Sequence, residues 1–475
     1  MANKPSGGTF VGLDIGTATI KAVEVKGAGA NLQVTALGMA DTPPGTIQQG
    51  LVSDAKVLGA AIKSLLTKSG IRPGRCVSAA SGNAGVVVRV IEVPKMTPKD
   101  LAETMKWEIE RHIPFAANDV EMGYQKIDDP QSDADPNNPN MEVLLAVAQR
   151  DMVAEHLKTL DASGLQPFSI DVEPLAIGRA LLDLDKTGLG SRNVAVVNIG
   201  AANTDVGIYK AGTLRFPRAV PIAGDNFTRA IADHLGLNMD QAEDEKRQNA
   251  AILMDVLESA QPAPSDESFP FGDGNFGGSP FDAASVPPAN PFDAAPVPPA
   301  NPFDSPTVPP ANPFETAPPN PFGTPAPANP FDAAPANPFD VAPGEPVPAS
   351  PFDAGGQPLA PEDPRRRRQR EVFDALVPVL AELAVEVGRS VDFFRSRYPT
   401  EVIDQVVLCG GSAQIVDLDK FFQRELGIPT RIANPFQSVR VASRQMDPAT
   451  LDRVAPAFAV ALGLAARDAL IGSDK

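Results

Sequence analysis

Two separate segments of the chain carry the same pattern of residues at the end of an apolar run. The segment LDIGTATIKAV aligns with VNIGAANTDVG, which places Gly16 on Gly200 and Asp14 on Asn198. Glycine lets backbone N–H groups approach a phosphate closely, because it has no side chain to block the approach. Asp14 can hold Mg²⁺ through water, since that ion prefers oxygen ligands. One copy alone is better explained by an ordinary hairpin, but two copies favour a pair of phosphate-binding turns.

A third segment, VLCGGSAQI, has the pattern of a buried strand followed by two glycines and a helix. Gly410 and Gly411 come directly after the strand, and the helix is predicted to begin near Ser412. Paired glycines allow a ring or a sugar to pack flat against the backbone, whereas a plain strand-to-helix connection needs only one. The pattern therefore indicates a binding loop for such a group.

The elements that position these turns are predicted to be alternating strands and helices. In the first half we predict strands at Thr9–Asp14, Ile20–Val25 and Leu32–Gly38 and a helix at Ala55–Ser69. The second half repeats this order, with strands at Asn193–Ile199, Asp205–Lys210 and Thr213–Val220 and a helix from Ile222. An internal repeat of this kind predicts two duplicated α/β halves that face each other across a cleft.

Additional segments interrupt both halves. Residues 86–166 contain a strand, a helix around Lys99–His112, a polar loop and the strand EVLLAVA. The predicted domains are 1–85 with 167–192 for the first half, 86–166 for an inserted subdomain, 193–260 with 365–475 for the second half, and 261–364 for an insertion.

The insertion differs from the rest of the chain in composition. Residues 251–364 hold 30 of the 50 prolines, 15 Asp and Glu, and no Lys or Arg. The remainder therefore carries about −3 of the net charge of −18. Because proline lacks a backbone donor, neither helix nor sheet can propagate here, and we predict disorder for 261–364. The rest of the chain has no basic face, so nucleic-acid binding is not expected.

The tripeptide Asn-Pro-Phe recurs in the insertion, beginning at Asn290, Asn301, Asn312, Asn320, Asn329 and Asn337. Asn and Pro form turns and leave the Phe displayed outward. Spaced Phe side chains can bind a partner that presents several pockets, because weak contacts add through effective concentration. A passive tether is the simpler interpretation.

Two further patterns lie after the insertion. Arg365–Arg368 precede a long helix predicted at Glu371–Phe394, and we interpret them as its solvated start. Pairing with the acidic insertion or with anionic lipid is the alternative. The longest apolar stretch, Val454–Ile471, is interrupted by Arg467 and Asp468. It is predicted to be a buried helix, because a membrane span needs about 20 mostly apolar residues.

Cysteine usage and the N-terminus favour a cytoplasmic protein. Cys76 and Cys409 are far apart and lack metal-ligand spacing, so neither a disulfide framework nor a zinc site is expected. The first residues contain no apolar signal core, so secretion is not expected.

The three chemical segments, in this order, resemble the superfamily of ATP-binding proteins that includes actin, hexokinase and the DnaK-type chaperones. GLDIGTATIK is similar to the first phosphate loop of that superfamily, NIGAANTDVGIYKAG to the second and LCGGSAQI to the adenosine loop. DVEPLAIGRALL and the helix from Pro456 are similar to its two connecting helices. The resemblance implies an actin-like α/β fold with ATP and Mg²⁺ in the central cleft.

The resemblance also implies which residues contact the nucleotide. Around the phosphates these are Asp14, Gly16, Thr17, Ala18, Lys21, Gly200, Ala201, Asn203, Thr204 and Asp205. Toward the sugar and base they are Gly224, Asp225, Glu243, Lys246, Gly410, Gly411 and Ser412. Asp14 and Asn198 would hold Mg²⁺ through water. A structural strand residue is the alternative for Lys21, and a solvated helix face is the alternative for Glu243 and Lys246.

The second phosphate loop departs from the superfamily pattern, because it begins with Asn198 where Asp is usual. An amide cannot supply the negative charge that helps to hold Mg²⁺ or to polarise the attacking water. Hydrolysis is therefore expected to be slow or absent. Glu173 is the carboxylate that remains as a candidate to orient water, but its place before Pro174 is explained equally well by helix capping.

Longer stretches narrow the resemblance to the PilM family of type IV pilus assembly proteins. They are IEVPKMTPKDLAETMKWEIERHIPF, DVEPLAIGRA, PIAGDNFTRAI and QAEDEK. The resemblance implies a cytoplasmic platform that binds the N-terminal tail of the inner-membrane protein PilN in a groove beside the inserted subdomain. Through PilN the protein would be peripheral to the inner membrane and linked to PilO and to pilus motor ATPases. Trp107, Ile113 and Phe115 are candidates for the groove, with core packing as the alternative.

Two other functions are compatible with an actin-like fold. A polymer-forming protein of the FtsA or MreB type would self-associate into filaments. A sugar kinase would need an acidic general base for its hydroxyl substrate, and no residue stands out for that role.

Overall fold

The protein alternates strands and helices, as the sequence predicts. The structure, a computed structural model, describes residues 8–80, 85–128, 137–259, 363–443 and 445–471, so that residues 261–362 of the predicted insertion lie outside the described residues. The strands in chain order are β1 (Thr9–Ile15), β2 (Thr19–Lys26), β3 (Gln33–Asp41), β4 (Ile47–Gln48), β5 (Leu51–Val52), β6 (Arg75–Ala80), β7 (Val86–Pro94), β8 (Val120–Lys126), β9 (Asn140–Gln149), β10 (Gln166–Val172), β11 (Asn193–Ile199), β12 (Thr204–Lys210), β13 (Thr213–Val220), β14 (Gln405–Cys409), β15 (Thr430–Ile432) and β16 (Arg440–Val441). The helices are α1 (Ala55–Lys68), α2 (Pro98–His112), α3 (Arg150–Ser163), α4 (Glu173–Gly178), α5 (Gly224–Leu235), α6 (Met239–Asn249), α7 (Met254–Ser259), α8 (Pro364–Arg397), α9 (Leu418–Leu426), α10 (Pro448–Val454) and α11 (Ala459–Ile471).

Two mixed sheets hold the aligned segments at their centres. The six-stranded sheet has the order β10-β6-β1-β2-β3-β16, and the five-stranded sheet has the order β13-β12-β11-β14-β15. Strand β1 lies between antiparallel β2 and parallel β6, and β11 lies between antiparallel β12 and parallel β14. Central strands covered on both faces are expected to be almost wholly apolar, and β1 and β11 are buried along nearly their whole length. The predicted duplication of α/β halves is confirmed.

Helix α11 packs against the first sheet, although the predicted domains place residues 365–475 in the second half. A Cβ added to Gly12 of β1 would lie 2.0 Å from the carbonyl oxygen of Ala461. A Cβ added to Gly463 would lie 1.7 Å from the carbonyl oxygen of Ala176 in α4. Pro448–Leu470 is the one described stretch that is long and apolar enough to cross a membrane, and 72% of its apolar window lies inside the protein. The prediction of a buried helix is confirmed.

The inserted subdomain is a three-stranded antiparallel sheet, β7-β9-β8, with α2 packed against it. Helix α2 buries Leu101, Met105 and Ile109, which are spaced to share one face. The Thr97 side chain caps the helix by accepting from Asp100 N. Strand β8 was not predicted, although Val120, Met122 and Tyr124 alternate with polar or small residues. Its pairing with β9 fixes this segment as a strand.

The three candidates for the peptide groove have different environments. Trp107 on α2 is 73% exposed, so core packing is wrong for this side chain. Ile113 is buried, and Phe115 is partly buried against the core of the inserted subdomain. For these two residues the core-packing alternative is confirmed.

Glu142 of β9 joins the inserted subdomain to the second half. Its carboxylate accepts from Arg215 at 2.5 Å, from Arg397 at 2.8 Å and from the Tyr398 hydroxyl at 3.0 Å. Arg397 also pairs with Glu92 of β7. The side chains of Arg215 and Glu142 are only 4% and 14% exposed. Loss of this carboxylate therefore removes a negative charge that faces a buried guanidinium.

The substitution Glu142→Gln is expected to lower the free energy of unfolding by about 2 kcal/mol, because it keeps the shape but removes the charge. Denaturant unfolding measures the effect. Glu121→Gln is the matched control: Glu121 lies on the neighbouring strand β8, and its ion pair with Arg150 is exposed. An exposed pair contributes about 0.5 kcal/mol. Equal losses in the two variants would contradict a buried hub at Glu142.

The arginines at the start of α8 pair with neighbouring helices. Arg366 pairs with Asp255 of α7, and Arg368 pairs with Glu245 of α6 at 2.8 Å and with Glu371 at 2.9 Å. The interpretation of a solvated helix start agrees with Arg366, whose side chain is 51% exposed, whereas Arg368 is 33% exposed and is held by two carboxylates. The contacts hold the start of α8 beside α6 and α7.

Candidate functional site

The two aligned turns have the same backbone geometry. Gly16 N donates to Thr19 O at 3.1 Å, and Gly200 N donates to Asn203 O at 3.0 Å. In each turn, a Cβ on the glycine would lie 2.8 Å from the carbonyl oxygen that accepts this hydrogen bond, which is closer than real Cβ contacts allow. Each turn therefore requires glycine at this position. The structure thus gives the sequence repeat a physical basis.

Thr42 holds the first turn from behind. Its hydroxyl donates to Gly16 O at 2.7 Å, and its N–H donates to Ala18 O at 2.9 Å. Thr42 is buried, whereas Thr17 and Ala18 at the tip of the turn are exposed. The outer face of the turn is accessible while its backbone is fixed. Thr42 was not predicted, because it is 26 residues from Gly16 and carries no local motif.

A buried ion pair lies at the base of the first turn. Asp14, near the end of β1, lies opposite Lys21 of β2, and the Lys21 Nζ is 3.0 Å from Asp14 Oδ2. The two side chains are 9% and 11% exposed. Lys21 therefore both occupies a strand and neutralises Asp14. The arrangement places an anionic and a cationic group beside the phosphate-type turn.

The second turn carries a carboxylate at the position that mirrors Lys21. Asn198 lies opposite Asp205 in the same register that pairs Asp14 with Lys21. Glu173, at the start of α4, accepts from Asn198 Nδ2 at 3.4 Å and is hydrogen-bonded to Asp205. The Glu173 side chain thus reaches the second sheet. Asn198 does not leave this half without carboxylates, since the fold brings two of them to it.

The protonation of Asp205 follows from its surroundings. Burial raises the pKa of the Asp205 carboxyl to about 6, against the lowering effect of its hydrogen bond with Glu173. Two adjacent carboxyl groups cannot both ionise freely, so they titrate as a pair. Near pH 6 the pair carries less than its full negative charge. This setting is less favourable to an attacking water than two free carboxylates.

The loop after β14 packs tightly on the second turn. Gly410 has φ +92°, and a Cβ on it would lie 2.4 Å from Ile199 O. The Ser412 hydroxyl donates to Gly200 O at 3.1 Å. A Cβ on Gly411 would meet open space, so this residue presents accessible backbone. The α-helix predicted near Ser412 is corrected: Gly411–Gln414 form a 3₁₀ turn, and α9 begins at Leu418.

The start of α5 also lies against the second turn. Gly224 N donates to Gly200 O at 3.1 Å, and Asp225 N donates to Ala201 O at 2.8 Å. A Cβ on Gly224 would lie 2.7 Å from the Ser412 Oγ. Two segments that are distant in sequence, the start of α5 and the loop after β14, therefore converge on the Gly200 carbonyl oxygen. Burial raises the pKa of the Asp225 carboxyl above its ordinary value.

Two predicted residues of α6 face α5. Lys246 Nζ donates to Gly224 O at 3.0 Å and lies 2.6 Å from Glu243 Oε2. The side chains of Lys246 and Glu243 are 13% and 31% exposed. The solvated-face alternative is wrong for Lys246. Thr204 has an internal role, since its buried hydroxyl donates to Ile222 O at 2.7 Å.

The oxygen donors fit Mg²⁺ held through water and phosphate, because this ion keeps several waters and needs few direct protein ligands. Asp14, Asn198, Asp205 and Glu173 supply such oxygens. Among the described residues, no group of three or more His, Cys, Asp or Glu side chains forms a direct metal site.

The fold has known counterparts. The solved structure of a PilM–PilN type IV pilus biogenesis complex has a TM-score of 0.64 and 24% identity, and covers 97% of this chain and 98% of that one. Cell division protein FtsA of Bacillus subtilis (strain 168) is 23% identical over 258 residues, which cover 50% of this chain and 57% of FtsA. FtsA of Pseudomonas aeruginosa is 28% identical over 269 residues, which cover 53% of this chain and 64% of FtsA. The chain thus matches less than two thirds of the length of these relatives.

The duplicated halves and mirrored turns define a protein of the actin-like α/β class, as predicted. The profile of the type IV pilus assembly protein PilM matches residues 12–253 and 368–469. The chain belongs to the PilM family of type IV pilus assembly proteins. The unmatched middle of the chain contains the Pro-rich segment identified from composition.

Proposed function

We propose that this protein binds ATP with Mg²⁺ between its two mirrored turns and acts as a docking platform in pilus assembly. The observation that carries the proposal is the shared turn geometry: Gly16 and Gly200 make the same hydrogen bond at the ends of β1 and β11. Each turn presents backbone N–H groups near a strand end, as phosphate sites do. The duplication supplies two such turns for one polyphosphate.

Different residues bind the phosphates, the metal ion and the adenosine end of the nucleotide. Backbone N–H groups of Thr17–Ala18 and Ala201–Asn203 bind phosphate oxygens, because those of Gly16 and Gly200 already donate within their turns. Asp14 and Asn198 orient waters of Mg²⁺, which supplies charge neutralisation for the phosphates when bound. The Gly410–Ser412 loop and Gly224 lie against the second turn and receive the adenosine end.

Hydrolysis is proposed to be slow. Asn198 cannot act as a base, and Glu173 shares a hydrogen bond with Asp205, whose pKa burial raises to about 6. ATP then serves to stabilise one arrangement of the two halves. A ligand shifts such an equilibrium only through its different affinities for the two states.

The docking partner is proposed to be the cytoplasmic N-terminal tail of a PilN-type inner-membrane protein. Family membership supports a place in pilus assembly, and the similar solved structure is a complex of PilM with PilN. The tail is proposed to bind beside the inserted subdomain. Through it the protein is held at the cytoplasmic side of the inner membrane, with indirect links to PilO and the motor ATPases.

A peptide of the first residues of the matching PilN is expected to bind the ATP-loaded and the empty protein with different affinities. Fluorescence anisotropy of the labelled peptide, with and without MgATP, measures the two dissociation constants. A peptide of the same composition in scrambled order is the control. Equal affinities would remove the coupling to ATP but leave docking intact, whereas binding no tighter than that of the scrambled peptide would remove docking.

A filament-forming role of the FtsA type is the second candidate, and it rests on the sequence matches to FtsA. Sedimentation with MgATP distinguishes the two functions. Pelleting that depends on ATP would favour filaments, whereas an unchanged small sedimentation coefficient would favour the platform.

A further inference from the structure

Thr228 lies one turn into α5 and is almost completely buried, at 3% exposure. Its hydroxyl is 3.0 Å from Gly224 O, 2.6 Å from Glu243 Oε2 and 2.7 Å from Lys246 Nζ. The Thr228 side chain thus contacts the N-terminal residue of α5, Gly224, and both residues of α6 that were predicted to face the nucleotide. Because it is buried, Thr228 acts through these neighbours.

Thr228, Glu243 and Lys246 form a cluster in which the hydrogen-bond donors are already used. The Lys246 ammonium has three protons, and it donates to Gly224 O, to the Thr228 hydroxyl and to Glu243. Thr228 has one proton, which is best placed on Glu243 because that contact is shorter. All protons of Lys246 and Thr228 are therefore used within the protein.

Glu243 is the member of the cluster that can still accept. A carboxylate offers about four acceptor positions, and Thr228, Lys246 and Arg247 occupy three of them. Its side chain is 31% exposed, whereas that of Lys246 is 13% exposed. Burial raises the pKa of Glu243, but hydrogen bonds from Lys246, Thr228 and Arg247 together hold it below its usual value. Glu243 is therefore an ionised, oriented acceptor.

We propose that Thr228 is a positioning residue for the sugar end of the nucleotide: its hydroxyl fixes Lys246 and Glu243, so that the Glu243 carboxylate accepts from the sugar hydroxyls. The inference rests on the proposed ATP site and deepens it. A hydroxyl that donates to an ionised carboxylate makes a charge-assisted hydrogen bond, which is stronger than a neutral one. The cluster thus selects a nucleotide with sugar hydroxyls over one without them.

Calorimetric titrations of MgATP and of the magnesium complex of 2′,3′-dideoxy-ATP, which lacks both sugar hydroxyls, test this inference. The wild-type protein is expected to prefer ATP by about tenfold or more, the effect of one charge-assisted hydrogen bond. Thr228→Val, which replaces the hydroxyl with a methyl group, is expected to bind ATP about tenfold more weakly and dideoxy-ATP almost unchanged. Thr228→Ser keeps the hydroxyl and is expected to retain the wild-type preference.

Thr159→Val is the control, because Thr159 is also a buried helical threonine but bonds to Glu155 O within α3. It is expected to leave both affinities unchanged, and thermal melts confirm that each variant is folded. The inference is overturned if Thr228→Val keeps the preference for ATP over dideoxy-ATP, if it lowers the affinity for both nucleotides equally, or if it behaves like Thr228→Ser. Absence of ATP binding by the folded wild-type protein would overturn the proposed function itself, and this inference with it.

Discussion

Replacing Gly463 by valine is expected to prevent stable folding, with a loss of at least about 3 kcal/mol in the free energy of unfolding. The reason is the crossing of α11 over α4. A Cβ at Gly463 would lie 1.7 Å from Ala176 O and 2.4 Å from Ala176 C, which are rigid backbone atoms. The two helices would have to separate, and the buried apolar surface of α11 would open. Soluble expression and denaturant unfolding measure the loss.

Gly388 provides a matched control within another helix. A Cβ there would meet only the end of the Leu426 side chain at 3.7 Å, an ordinary contact. Gly388→Ala is expected to raise the free energy of unfolding by up to about 1 kcal/mol, since alanine favours helix. Gly463→Ala is expected to be strongly destabilising. If Gly463→Ala were as stable as the wild-type protein, the close crossing would be contradicted.

Replacing Asp14 by alanine is expected to weaken MgATP binding by at least about 100-fold, or about 3 kcal/mol. The variant loses the carboxylate that orients the waters of Mg²⁺ beside the first turn. It also leaves the buried Lys21 without the partner that lies 3.0 Å away. Calorimetry with and without Mg²⁺ measures the effect, and a thermal melt shows whether the variant is folded.

Two controls separate charge from folding. Asp14→Asn keeps the shape of the side chain and is expected to lose most of the Mg²⁺-dependent affinity. Asp54→Ala removes the cap of α1, where the carboxylate accepts from Lys56 N and Val57 N. It is expected to cost about 1 kcal/mol of stability and to leave ATP affinity unchanged. Normal MgATP binding by folded Asp14→Ala would contradict the role of this carboxylate.

The strands around the two turns could be predicted because local sequence determines them. Buried apolar runs define β1 and β11. Each turn requires glycine for a local reason, because a Cβ would clash with the carbonyl oxygen three residues later. The helix α11 could be predicted for the same reason, as a long run of small apolar residues. These features need no knowledge of distant contacts.

The side-chain clusters could not be predicted because they depend on tertiary contacts. Glu173 contacts Asn198 from 25 residues away, and Thr42 supports Gly16 from 26 residues away. Strand β8 and the 3₁₀ turn at Gly411–Gln414 were missed because pairing and packing, not propensity, decide them. The consequence for the site is specific: Asn198 taken alone indicated a missing carboxylate, but the fold supplies Asp205 opposite it.

The central claim is that both mirrored turns bind the same nucleotide, and hydrogen–deuterium exchange with and without MgATP tests it most directly. The amide groups of residues 14–21 and 198–205 are expected to exchange more slowly together, at the same ATP concentration, and those of 410–412 with them. Slowing of only one turn, or of neither, at saturating MgATP would contradict the claim.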